Sequence, residues 1–121
     1  MIKCAPAVTP DALILCCALA NTAGGWLAEG RDIPDLVITA GSNGTHMPHS
    51  RHGTYQALDV RSKTFQPADK LPFLRAVIAR LGTPVAVTTP TGPGYQTANG
   101  QWLGILEYQG QAREHYHVER N

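Results

Sequence analysis

The stretch "WLGILEYQGQAREHYHVER", residues 102–120, decides the fold. Trp102–Tyr108 is an apolar, strand-like run, "QGQA" at 109–112 reads as a turn, and "HYHVER" at 115–120 alternates with a period of two. Two strands joined by so short a polar link pair antiparallel. "PVAVTT", residues 84–89, is a third strand, and "PTGPGYQTANGQ", residues 90–101, is a turn-rich connection between them. Three late strands with short links predict an antiparallel meander.

Upstream, "PADKLPFLRAVIARLG", residues 67–82, is a helix. Leu71, Leu74, Ile78 and Leu81 recur at helical spacing, Pro72 lies in the first turn and Gly82 ends it. "YQALDVR", residues 55–61, alternates moderately and is a strand; Gly41 to about Tyr55 is a polar loop; "LVITA", residues 36–40, is a buried strand. A first helix is expected over Pro10–Ala23, capped by Thr9 or Asp11 and ended by Gly24-Gly25. The order is helix, strand, strand, helix, three strands. This predicts an α+β fold, a small antiparallel sheet with helices packed to one side, in one domain spanning 1–121.

The chain has 121 residues, with 43% apolar and 16% charged, which suits a packed globule. A formal net charge of +1, with no Lys/Arg cluster, argues against a nucleic-acid surface. Three cysteines, Cys4, Cys16 and Cys17, form neither a disulfide framework nor a CxxC knuckle, and read as small buried residues in a reduced compartment. Lys3 followed by the apolar run Ala12–Ala20 has some likeness to a signal peptide, but Asp11 and Pro10 favour a helix start. The run is too short to cross a bilayer, so no membrane association is expected.

All five histidines fall in two short stretches. The first offers His46, His49, His52 and then Asp59; the second offers Glu114, His115, His117 and Glu119. Imidazole and carboxylate are the usual ligands of catalytic zinc, which keeps one position open. A loop from the first stretch beside a strand from the second could build such a site. Strand parity narrows the choice. Asp59 and Arg61 share one face, as do His115, His117 and Glu119. His52 must then sit on the loop before the strand. Glu114, three residues before His117, can face the same metal only from the turn. If the last strand is regular from Glu114 onward, that residue faces away and His115 becomes the better proton-transfer group. Glu107 and Glu119 read as surface or strand-end charges, Trp26 and Trp102 as packing residues, and His49 as an exposed loop residue.

The pattern Ser50-x-His52-x-x-x-x-Ala57-x-Asp59, followed by Glu114-x-x-His117, resembles the M15 zinc peptidases. That family includes D-alanyl-D-alanine carboxypeptidases and phage endolysin endopeptidases, and shares a fold with the Hedgehog signalling domain. "VITAGSNGTHMPHSRH", "DVRSK" and "EHYHVE" are similar to a small phage and prophage branch. The resemblance covers roughly Leu36 to the C-terminus. It implies one Zn2+ held by His52, Asp59 and His117, with Glu114 as general base. It implies a peptidoglycan stem or cross-bridge peptide as substrate, and, for a phage-type lysin, a protein made in the cytoplasm that acts at the cell wall. Tyr55 stands where the family has glycine, and the family's arginine after the first strand is absent. Arg61, His46 and His115 are therefore the candidates for binding the substrate or its transition state. The other readings are a catalytically inactive metal-binding module of the same fold, and a pH-sensitive histidine surface without metal.

Overall fold

The computed structural model describes residues 2–4, 13–40 and 57–121. His46, His49 and His52 lie outside the described residues. The elements are β1 (Ile2–Cys4), α1 (Leu13–Ala28), β2 (Leu36–Ala40), β3 (Ala57–Arg61), α2 (Pro67–Ala79), β4 (Pro84–Thr89), β5 (Gly92–Thr97), β6 (Trp102–Glu107) and β7 (His115–Arg120). The fold is α+β, as expected from the sequence. The strands form one sheet in the order β1-β2-β3-β7-β6-β5-β4. β1 runs parallel to β2, and the other neighbours are antiparallel.

Two strands were not expected. β1 comes from residues to which the sequence pattern assigns no element. β5 comes from "GPGYQT", whose glycines and proline read as a turn. Gly94 has a different role there: a Cβ on it would come within 2.0 Å of the Gly104 carbonyl oxygen. Close approach of two backbones demands glycine inside a strand. The Gly24-Gly25 pair, expected to end the first helix, lies inside it. Each glycine costs about 1 kcal/mol relative to alanine, but Trp26 just beyond is buried edge-on against Phe73 at 5.3 Å. The helix stops instead at Gly30, φ +80°, where Arg31 N–H bonds the Trp26 carbonyl and Gly30 N–H bonds the Leu27 carbonyl. That pair of bonds is the Schellman arrangement.

One face of the sheet carries Leu58, Val60, Leu106, Tyr116 and Val118 into a core shared with both helices. Phe65, Phe73 and Tyr116 interlock there, with ring centroids 4.8 to 6.1 Å apart. Trp26 and Trp102 are buried, as expected of packing residues, but Cys17 is exposed and Cys16 half-buried, against the expectation of buried cysteines. Among the described residues, no helix is long and apolar enough to cross a membrane. Alternation along β3, β6 and β7 sends the polar residues to the opposite face.

Candidate metal centre

Register decides what meets on that polar face. β3 and β7 pair Asp59 with His117 and Arg61 with His115. β6 and β7 pair Ile105 with His117 and Glu107 with His115. Asp59, Glu107, His115, His117 and Glu119 therefore share one patch, with Arg61 at its margin. Asp59, Arg61, Glu114 and His115 also line an open cleft of about 250 Å³ together with Thr39, Lys63 and Arg113.

His117 lies between two carboxylates. Its Nδ1 is 2.9 Å from Asp59 Oδ1 and its Nε2 is 3.0 Å from Glu119 Oε1. Both ring nitrogens donate when the ring is charged. Burial works against that charge, but the bonds to Asp59 and Glu119 and the charges of Asp59 and Glu107 outweigh it. The imidazolium pKa is pushed up to about 10. His115 Nδ1 donates to the Arg113 carbonyl at 2.8 Å, and its Nε2 meets Glu107 Oε1 at 2.9 Å. The Glu107 bond raises the pKa of His115 above the ordinary histidine value, against burial. Glu107 is lowered, first by that same bond and then, against burial, by the Thr91 hydroxyl that donates to its Oε2 at 2.7 Å.

Asp59, Glu107 and His117 each offer a ligand atom, all within 4.8 Å of one another, and so form a group that could hold a metal ion. Ligands about 2.0 to 2.1 Å from a tetrahedral ion lie about 3.3 Å apart. The 2.9 Å Asp59–His117 contact needs only a small opening to reach that spacing. One imidazole and two carboxylates suit zinc chemically, and also harder divalent ions.

Of the residues picked out from the sequence, Asp59, His115 and His117 are brought together, and Arg61 is on the same face but exposed. His46 and His52 lie outside the described residues. Glu114 takes a different direction. It is in the turn just before β7, and its side chain is only 2% exposed. Oε1 accepts from Lys70 Nζ at 2.6 Å and Ser62 Oγ at 2.7 Å, and Oε2 accepts from Gly110 N–H at 2.8 Å. Burial pushes its pKa up, but those three donors outweigh burial and hold it below the usual carboxylate range.

Glu107 belongs to the site and was read from sequence as a strand-end charge; its side chain is 17% exposed and bonded on both oxygens. A hairpin folded about Gln111 puts Glu107 opposite His115, so the signal was present in the spacing of β6 and β7. Glu119, read the same way, bonds His117. Comparisons with protein-family models, curated proteins and solved structures return no match to this chain.

Proposed function

We propose that this chain is a zinc peptidase of the M15 type, with a Hedgehog/DD-peptidase-like fold, that hydrolyses peptidoglycan stem or cross-bridge peptides. The observation that carries the proposal is the Asp59–His117 contact. Two residues 58 apart in sequence, both implied as ligands by the motif pattern, meet at 2.9 Å beside a second carboxylate. Asp59 and His117 are ligands in this reading, His52 remains the third, and Glu107 stands close enough to ligate or to accept a proton.

When bound, zinc supplies an acidified water and polarises the scissile carbonyl. The chain's own contribution is to hold the peptide and move the proton. Proton transfer is assigned to His115 rather than Glu114. Both Glu114 and His115 line the cleft, but the Glu114 carboxylate is committed to Lys70, Ser62 and Gly110, whereas the His115 ring is held by Glu107 and the Arg113 carbonyl. An imidazole fixed by a carboxylate is a competent proton carrier near neutral pH. Arg61, exposed on the rim, is the cation best sited for a substrate carbonyl or carboxylate.

The commitment of Glu114 also favours a second reading, a metal-binding module of the same fold without catalysis. Metal analysis paired with digestion of purified peptidoglycan separates the two. The peptidase reading expects stoichiometric zinc, cleavage by the wild type, and loss of turnover in His115→Ala with zinc retained. Zinc without cleavage by the wild type would leave the module. Complete loss of turnover in a folded Glu114→Gln protein, with His115→Ala still active, would return the base to Glu114.

A further inference from the structure

We infer that Glu119 is a positioning residue: by accepting the Nε2–H of His117 it leaves Nδ1 as the ring nitrogen that faces the metal. This rests on the metal site proposed above and assigns a role to a residue outside its ligand set.

A neutral imidazole carries one N–H, so a metal on one nitrogen fixes the proton on the other. The two sides of the His117 ring differ. Toward Nδ1 stand Asp59 Oδ1 at 2.9 Å and Glu107 Oε1 at 3.9 Å, the two carboxylates that complete the ligand group. Toward Nε2 stands Glu119 Oε1 at 3.0 Å. A metal taking Nδ1 keeps imidazole and both carboxylates within reach. A metal taking Nε2 turns away from Asp59 and Glu107. The strand explains the arrangement. Glu119 is two residues beyond His117 on the same face, in the row of Ala57 and Leu103, while Glu107 lies in the row of His115 on the other side. The ring is thus flanked along the strand by a metal-facing carboxylate and a proton-accepting one. An outer carboxylate of this kind sets the tautomer, fixes the ring plane and makes the ligand more basic. The Glu119 side chain is only 16% exposed, so salt screens its effect incompletely.

The test has two parts and needs no turnover. Long-range 1H–15N correlation on zinc-loaded wild-type protein should find the His117 proton on Nε2 and the metal on Nδ1; the opposite tautomer overturns the assignment. Zinc affinity by chelator competition should fall by about 10- to 100-fold in Glu119→Ala. Glu119→Gln, whose amide oxygen still accepts from Nε2–H, should recover most of that loss. Equal losses in the two variants, both abolished by high salt, would mean a general charge effect and also overturn it. A wild type that binds no zinc removes this inference together with the metal site. Zinc on Nδ1 with no peptidoglycan cleavage supports the role of Glu119 and removes only the peptidase reading. Cleavage with zinc on Nε2 does the reverse.

Discussion

Glu107 and Glu114 flank the same turn, yet the fold uses them in opposite ways. Glu114 is closed: 2% exposed, with one ammonium, one hydroxyl and one amide filling its oxygens. Glu107 is open: 17% exposed, bonded to Thr91 and to His115, a histidine that faces a cleft. The closed carboxylate ties the entry of β7 to α2, a tie reinforced by the Tyr116 hydroxyl donating to the Lys70 carbonyl at 2.8 Å. The residues on either side of His115 are thereby fixed from the core side, while His115 projects to the opposite face. A charge whose bonds are all met inside the protein acts as structure. A charge bonded to a part-exposed imidazole at a cleft is available for chemistry.

The contrast can be broken most severely at Lys70. Lys70→Met strands the Glu114 carboxylate without its cation, and a loss of about 3 kcal/mol is expected in denaturant unfolding. Zinc bound per folded molecule should not change. On the open side, Asp59→Asn should weaken zinc by about 100-fold, some 2.7 kcal/mol, while the melting temperature of the metal-free protein moves far less than in Lys70→Met. A chelator-competition titration beside a thermal melt reads both.

Acidity sharpens the comparison further. In metal-free protein the folded pKa of His117, about 10, lies above its ordinary 6.5. The stability it lends is complete below about pH 6.5 and lost as the pH rises through about 10. Glu107 and Glu114 run the other way: each is lowered from 4.5, so each contributes above that value and loses its contribution as the pH falls through the lowered one. Melts in chelator should therefore decline toward pH 10 as well as in acid. Because zinc must displace the His117 proton, its apparent affinity should rise between pH 6 and pH 9, the range to be scanned by titration. The smallest effect belongs to Tyr116→Phe, which removes the bond to Lys70 and should cost about 1 kcal/mol without altering zinc affinity.

Parity made much of this legible. A strict period of two put Asp59 with Arg61 and His115 with His117 and Glu119 before any pairing was known, and β3 and β7 bear this out. The meander's last hairpin was legible for the same reason. Glu107 was harder, because its partner depends on the centre of the β6–β7 turn, which period alone does not fix. Glu114 was hardest: its partners Lys70 and Ser62 are 44 and 52 residues away, and nothing local announces them. β5 was hidden because glycine serves both turns and close backbone approach, and "GPGYQT" uses the second.

The Asp59–His117 contact spans 58 residues, whereas β4 to β7 are linked to one another by short turns. Loop-closure entropy therefore favours early formation of the meander and late addition of β3 against β7. Asp59, Glu107 and His117, the group that could hold a metal ion, come together only at that last closure. An ion bound there stabilises contacts missing from the folding transition state, so it should leave the folding rate nearly unchanged and slow unfolding. A metal ion there would then lengthen the lifetime of the native protein more than it would speed its formation.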